Sequence, residues 1–238
     1  MPDGPFCVHP NSFAAEPGGV DIPLAEGAHR MRSGELQTYE HLPRSPDRPA
    51  DYEAYRYPVP PGLVGRSVVS GYDLDLPDER QRRGAGLRHV GHGGVDLPQV
   101  RGTPVHVVTY EHQEGEAEVL FVGDVFGHTV LLRSRIRQGV GEAGGGAAPA
   151  TLREYVTLFG HLQQASPGLT AGMTVRDGDV IGTVGDSGSP GLVHLHLEIR
   201  RLRDGLDAVT VLREKGANLL VTSASSVPTD PRNLLPLR

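Results

Sequence analysis

Residues 191–200, with the sequence Gly-Leu-Val-His-Leu-His-Leu-Glu-Ile-Arg, constrain the fold of this chain more than any other stretch. Apolar and polar residues alternate along the segment, and this period-two pattern predicts a half-buried β-strand. Side chains two positions apart on a strand point to the same face, so His194, His196 and Glu198 share the polar face. Two imidazoles with a carboxylate beside them suit a metal ligand with a catalytic or supporting neighbour.

The His-x-His pair is weak evidence by itself. Eleven histidines among 238 residues make one such pair common by chance. Two solvated strand histidines are therefore the alternative interpretation, and a metal site needs further ligands elsewhere in the sequence.

Length and composition favour one sizeable β domain with an extension. The 32 glycines and 20 prolines among the 238 residues punctuate short apolar runs, and long helical patterns are few. The formal net charge of −6 argues against nucleic acid as the main partner, because phosphate binding needs clustered excess Lys and Arg. The single cysteine, Cys7, permits no intramolecular disulfide, so a metal site has to use His, Asp or Glu.

The sequence shows no targeting signal that would define where the protein acts. No apolar run reaches 18 residues, which predicts the absence of a transmembrane segment. Residues 1–29 lack the basic and apolar regions of a secretory signal, which leaves the route of export undetermined. The sequence does not indicate an oligomeric state.

The chain divides into an arm and a domain at about residue 54. Residues 1–54 are polar and proline-rich and predict an irregular N-terminal arm, with a regulatory pro-segment as the alternative. Residues 55–238 form the predicted domain, in which the glycine-rich stretch 139–150 predicts the flexible tip of a hairpin. Strands are expected at 102–110, 116–122, 130–137, 152–161, 173–175 and 179–184, a strand or helical turn at 207–214, and a closing loop at 227–235.

A second polar cluster, His92-Gly-Gly-Val-Asp96, offers ligands distant in sequence from the His-x-His pair. On a straight strand, residues four apart are separated by roughly 13 Å, too far to bind one metal ion. Gly93 and Gly94 permit a bend, since glycine tolerates positive φ. A His and an Asp on such a bend, with a His from another strand, make a three-ligand zinc site with an open fourth position. An ordinary glycine-rich turn is the alternative.

His161 ends the predicted strand 152–161 and is followed by Leu162. A histidine at a strand end can reach over a cleft, although a surface histidine is the alternative. The other histidines at 89, 106, 112 and 128 are expected to be structural or at the surface.

Four motifs occur in order over residues 57–235. They are His-x-Gly-x-Asp at 92–96 followed by Gly-Thr-Pro-Val at 102–105, Phe-Gly-His-Leu at 159–162, a glycine-punctuated run at 175–185, and His-Leu-His-x-Glu at 194–198. This ordered set, over roughly three-quarters of the chain, resembles the lysostaphin-type (LytM-type) zinc endopeptidases, which cut peptide bonds in bacterial peptidoglycan. The resemblance implies an all-β fold of antiparallel sheets, the duplicated-hybrid-motif or lysostaphin-type peptidase fold, with an open groove.

The resemblance also implies roles for individual residues. The implied zinc (Zn2+) ligands are His92, Asp96 and His196, and the implied catalytic pair is His161 and His194. No His-Glu-x-x-His motif is present, so histidine rather than glutamate has to act as the general base.

Two functions remain for this site. The first is a zinc-dependent endopeptidase acting on peptidoglycan peptides in the cell envelope or outside the cell, with a cytoplasmic or injected role left open. The second is a non-catalytic zinc-holding peptidoglycan-binding or activator module. A biotinyl or lipoyl carrier is excluded, because the only lysine, Lys215, lies outside the turn that would be modified.

Glu198 is hypothesised to orient a ligand, with a surface carboxylate as the alternative.

Overall fold

A computed structural model describes residues 42–62, 66–72, 92–138, 151–222 and 224–238, together with the backbone of two short strands before them. Several predicted features lie outside the described residues. They are most of the arm 1–54, His89 and the glycine-rich tip 139–150.

Antiparallel β-structure dominates the described residues, which confirms the predicted all-β class. Every pairing between these strands is antiparallel, and the helices found in the described residues are two short α-helices and two 3-10 turns. The strands are β1 (Ala28–Arg30), β2 (Leu36–Thr38), β3 (Gly94–Pro98), β4 (Pro104–His106), β5 (Gln113–Asp124), β6 (His128–Gln138), β7 (Thr151–Ala165), β8 (Thr174–Val175), β9 (Val180–Val184), β10 (His194–Leu202) and β11 (Ser226–Thr229). The α-helices are α1 (Ala208–Lys215) and α2 (Ala217–Leu220), and the 3-10 turns are Tyr52–Ala54 and Pro231–Asn233.

Strand β10, which carries the His-x-His pair, is an interior strand of the sheet. It pairs with β7, with β3 over its first half, and with β11 over its second half. The alternating apolar residues Leu195, Leu197 and Ile199 are almost fully buried in the main core, as the period-two pattern predicts. The side chains on the polar face of β10 are buried as well, so the strand is covered on both faces and is not half-buried as expected. The strand that bears the polar cluster therefore has neighbours on both edges, which fixes its register.

The sheet has an apolar cluster on each face. The larger cluster contains the odd-numbered apolar residues of β10, and the smaller one packs sheet residues against the two helices. Val156 and Leu158 of β7 belong to the smaller cluster, and they lie directly opposite Arg200 and Glu198 of β10. Residues directly opposite each other on neighbouring strands share a face. The polar side chains of β10 thus lie on the helix side of the sheet.

Three segments differ from the sequence-based expectations. Within 102–110 only Pro104–His106 forms a strand, and the residues after it bond to turns instead, as where Val107 N–H donates to Asp179 O (2.8 Å). Residues 208–215 form helix α1, because the side chain of Asp207 caps its N-terminus through Thr210 N–H (2.8 Å). The predicted closing loop contains β11, whose four residues are all buried and so show no alternation.

The described part of the N-terminal segment packs against the sheet. Leu42 N–H donates to Pro228 O (2.9 Å), and Asp230 N–H donates to Leu42 O (2.8 Å). Arg48 donates to Glu111 and to the carbonyls of Arg232 and Leu235. In the residues that the structure describes, no helix has the length and hydropathy to cross a membrane.

Candidate metal centre

The pairing of β3 with β10 brings two of the candidate ligands together. Asp96 lies directly opposite His196 in the antiparallel register, so their side chains share a face. Asp96 Oδ1 is 3.0 Å from His196 Nδ1, and both residues are buried. The register of two strands, distant in sequence, thus creates the centre of the site.

His92 joins this pair because the chain bends at Gly93, immediately before β3 begins. The bend was predicted, but its physical reason was wrong. Neither Gly93 nor Gly94 lies in the left-handed region of φ. Glycine is required for space: a Cβ on Gly93 would lie 2.8 Å from Glu198 Oε1, and one on Gly94 would lie 2.3 Å from Leu197 O.

The three donor atoms form a tight triangle. His92 Nε2 is 3.3 Å from His196 Nδ1 and 3.2 Å from Asp96 Oδ1, and the third side of the triangle is the 3.0 Å contact between Asp96 and His196. Zn–N and Zn–O bonds of about 2.0–2.2 Å in a tetrahedron place ligand atoms about 3.3 Å apart. Two imidazoles and a carboxylate at these separations fit a metal ion, and they are the one such group among the described residues.

Each candidate imidazole ligand donates a hydrogen bond to the protein from the ring nitrogen that is not part of the triangle. His92 Nδ1 donates to Gly71 O (2.7 Å), which leaves the lone pair on the Nε2 that faces the triangle. His196 Nε2 donates to Glu198 Oε2 (3.2 Å), which orients Nδ1 toward Asp96. Metal-bound histidines commonly donate their other N–H to a carbonyl or carboxylate in this way.

Buried charges support the carboxylate behind His196. Arg200 donates to Glu198 through Nη1 and to Ser226 Oγ through Nε (2.6 Å), and both charged residues are buried. Ser226 Oγ in turn donates to Leu220 O at the end of α2. A buried charge is costly unless it is paired, and this arrangement pairs both charges while linking the centre to the helices.

His194 and His161 flank the triangle with a common orientation. His194 Nδ1 donates to Leu192 O (2.8 Å) and His161 Nδ1 donates to Ser187 O (2.7 Å), so each Nε2 carries the lone pair. His194 Nε2 is 3.6 Å from Asp96 Oδ1, and the two flanking rings are 4.8 Å apart. His161 Nε2 is buried and has no hydrogen-bond partner among the residues that the structure describes.

The backbone of His161 departs from regular strand geometry. Its φ of 59° is in the left-handed region, which costs a non-glycine residue roughly 1–2 kcal/mol. Hydrogen bonds hold it there: His161 N–H donates to Phe126 O (2.8 Å), and Gly185 N–H donates to His161 O (3.1 Å). Backbone strain of this kind concentrates at functional sites.

The electrostatics of the protein groups separate the histidines into two kinds. Burial lowers the pKa of His161 to about 3, with His194 and His196 adding to the effect, and burial also lowers the pKa of His194. Burial opposes the charged form of His196 too, but hydrogen bonds to Asp96 and Glu198 raise its pKa to about 9. Burial would raise the pKa of Asp96, yet His92 and the His196 hydrogen bond hold it well below its ordinary value.

Sequence analysis did not single out one aromatic residue at the centre. Phe126, from the turn between β5 and β6, stacks on the His196 ring with the centroids 5.0 Å apart and the planes 6° from parallel. Gly160 leaves room for it, because a Cβ there would lie 3.0 Å from Phe126 Cβ. No short motif marks this phenylalanine, so only the fold reveals it.

The remaining described histidines are not part of the centre. His106 Nδ1 bonds Gly178 O (2.9 Å), His128 Nδ1 bonds Asp124 Oδ1 (2.8 Å), and His112 is exposed on a turn.

Two imidazoles and a carboxylate with two further imidazoles beside them form a donor set that suits a divalent metal ion. The family model "Peptidase family M23" matches residues 141–208, which confirms the resemblance to the lysostaphin-type peptidases. This segment includes His161, His194 and His196, whereas His92 and Asp96 precede it.

Solved structures similar to this chain include M23-type proteins. A zinc-containing peptidase from Vibrio cholerae is 20% identical, with a TM-score of 0.40, over 76% of this chain and 45% of that one. The catalytic domain of lysostaphin from Staphylococcus simulans is 17% identical, with a TM-score of 0.34, over 66% of this chain and 86% of that one. An M23-family protein from Pseudomonas aeruginosa is 21% identical, with a TM-score of 0.35, over 68% of this chain and 49% of that one, so the match spans about half of that relative. Among curated proteins, none matches this chain significantly.

Proposed function

We propose that this protein is a zinc-dependent endopeptidase that hydrolyses peptide bonds in bacterial peptidoglycan. The observation that carries the proposal is the triangle of His92, Asp96 and His196 with two further imidazoles beside it. A purely structural histidine cluster does not require four imidazoles whose outer nitrogens are individually fixed by hydrogen bonds.

The proposed zinc ligands are His92 Nε2, His196 Nδ1 and one carboxylate oxygen of Asp96. When bound, zinc supplies Lewis acidity toward the scissile carbonyl and lowers the pKa of water. Three protein ligands leave a fourth position for chemistry, as in catalytic zinc sites. The hydrogen bonds from His92 to Gly71 and from His196 to Glu198 hold the ligand rings in the orientation that binding requires.

His194 and His161 are the proposed acid–base pair. In each ring a carbonyl accepts from Nδ1–H, which leaves the lone pair on Nε2, and His194 Nε2 lies 3.6 Å from Asp96 Oδ1. A neutral imidazole accepts the proton of the attacking water, and an imidazolium then stabilises the developing oxyanion or protonates the leaving amine. The lowered pKa of both groups favours the neutral form from which this cycle begins.

The substrate proposal rests on the family. M23-type relatives include lysostaphin, described as an antimicrobial peptidase, and we propose peptidoglycan cross-links or stem peptides as the substrates of this chain. The place of action would then be the cell envelope or the space outside the cell.

Purified peptidoglycan from several wall types tests this function. We expect the zinc-loaded protein to release peptide fragments, a chelator to stop the release, and added zinc to restore it. Mass spectrometry of the new amino and carboxyl termini identifies the bond that is cut. One zinc bound per chain without release from any wall type would contradict catalysis and favour the binding or activator module.

Glu198 is expected to control zinc affinity through His196. Glu198→Ala removes the acceptor for His196 Nε2–H and leaves the Arg200 charge buried without its carboxylate. Loss of such an outer partner typically weakens metal binding about 10- to 100-fold. Competition with a chromophoric chelator measures this change.

Two variants control for Glu198→Ala. Glu198→Gln keeps an acceptor oxygen of the same shape and is expected to retain most of the affinity. Glu118→Gln breaks another carboxylate–arginine pair, with Arg133 on β6, and is expected to bind zinc normally. Equal zinc affinities of Glu198→Ala and the parent protein would show that Glu198 does not contribute to the metal site.

A further inference from the structure

The 3-10 turn Tyr52–Ala54 contacts the segment 66–72 at two points. The Glu53 carboxylate accepts from Ser67 N–H (2.6 Å) and Ser67 Oγ–H (2.7 Å), and Tyr52 Oη accepts from Tyr72 N–H (2.9 Å). The turn therefore holds both ends of this segment. It lies in the part of the chain that the sequence assigned to an irregular arm.

Segment 66–72 in turn holds the first candidate ligand motif. Val69 N–H donates to Asp96 O (3.0 Å), and Asp96 N–H donates to Ser70 O (2.9 Å). Gly71 O accepts from His92 Nδ1 at 2.7 Å. The segment thus fixes the backbone of Asp96 and the imidazole of His92.

One peptide unit connects Tyr52 to His92. Gly71 C=O and Tyr72 N–H belong to the same planar amide, and planarity makes the two groups move together. The N–H bonds Tyr52 Oη and the C=O bonds His92 Nδ1. A rotation of this amide that weakened one bond would weaken the other.

Tyr52 is itself held firmly. The Arg232 guanidinium lies over its ring at 4.0 Å from the centroid, and Asp230 fixes that guanidinium through Nη2 (2.7 Å). Gly71 permits the close approach, because a Cβ there would lie 2.7 Å from Tyr52 Oη. The hydroxyl therefore has a defined position against the amide.

We infer that Tyr52 is a positioning residue for the metal centre, acting on His92 through the Gly71–Tyr72 amide. This inference rests on the proposed function, since it assigns to His92 the role of a zinc ligand. It places a determinant of metal affinity outside the segment that the family model matches. The N-terminal segment is then part of the site and not an appendage to it.

The test measures the affinity of the full chain for zinc alone in Tyr52→Phe, by competition with a chromophoric chelator. Loss of the hydroxyl removes a hydrogen bond from the Gly71–Tyr72 amide. We therefore expect zinc binding to be roughly tenfold weaker, which is the lower end of the range for residues that hydrogen-bond to a metal ligand. Tyr55→Phe is the matched control, because its hydroxyl also bonds the main chain, here by donating to Pro49 O (2.6 Å) within the same segment. We expect that control to bind zinc as the parent does.

The outcomes separate this inference from the proposed function. If the parent protein, Tyr52→Phe and Tyr55→Phe all bind zinc equally well, the role of Tyr52 is overturned and the proposed function is not. A parent that binds no zinc overturns the proposed function and the inference with it. Thermal unfolding of the metal-free variants checks that a loss of affinity is not a loss of fold.

A second variant tests the coupling without depending on the first. Gly71→Ala places a Cβ against the Tyr52 hydroxyl and is expected to weaken zinc binding by displacing the amide. In the Tyr52→Phe background the close oxygen is gone, so the same substitution is expected to have a much smaller effect. Equal losses in both backgrounds would show that the hydroxyl and the amide are not coupled.

Discussion

Asp96→Ala is expected to abolish stoichiometric zinc binding and peptide hydrolysis together. The Asp96 carboxylate is fully buried, forms one corner of the triangle and lies within 3.6 Å of His92, His194 and His196. Without it, two imidazoles remain and the charge that balances the cation is lost. Lewis-acid catalysis contributes several kcal/mol, so hydrolysis is expected to fall by about 10³-fold or more.

Metal analysis after dialysis and release of peptidoglycan fragments are the two measurements for this variant. Asp96→Asn is the shape-matched comparison, since it keeps one oxygen but removes the charge, and we expect intermediate zinc retention. One zinc per chain in Asp96→Ala would contradict the assignment of this ligand.

Substitution of the flanking histidines is expected to separate catalysis from metal binding. In His194→Gln and His161→Asn, zinc is expected to remain at one per chain while kcat falls about 10²- to 10⁴-fold, the range for loss of a general acid–base group. The three proposed ligands are unchanged in both variants.

The choice of asparagine at residue 161 follows from the backbone. Asparagine tolerates the left-handed conformation and keeps an N–H donor for Ser187 O, whereas alanine would add backbone strain to the loss of the ring. Full turnover with bound zinc in either variant would rule out that histidine as an acid–base group. Loss of zinc instead would place it among the ligands.

The sequence was sufficient where one face of a strand is apolar and the other polar. Strand β10 follows the predicted alternation, and the long strands β5, β6 and β7 lie where apolar runs between turns predicted them, with ends shifted by a few residues. Period-two patterning fails for β11, because a strand of four residues that includes a proline is too short to show an alternation, so this segment was expected to be a loop. It also fails at residues 107–110, whose main chain bonds turns instead of a neighbouring strand.

The sequence predicts the candidate site only as a set of residue types in ordered motifs. Candidate ligands can be recognised in a sequence because only a few residue types bind metal ions. The groups that orient the ligands are ordinary residues, and their role depends on which side chains they contact in the fold. Gly93 illustrates this: the bend was foreseeable, but the Glu198 carboxylate that requires a glycine there belongs to a strand a hundred positions later. Tyr52 has no motif at all, and its link to His92 passes through a main-chain amide.

The direct pairing of Asp96 with His196 has a consequence for how the proposed zinc ion would be acquired. Main-chain hydrogen bonds between neighbouring strands set the spacing of these donors, so folding of the sheet itself preorganises the proposed ligands. Such preorganisation reduces the conformational cost of binding. We therefore expect the proposed site to take up, release or exchange a divalent ion while the sheet stays folded.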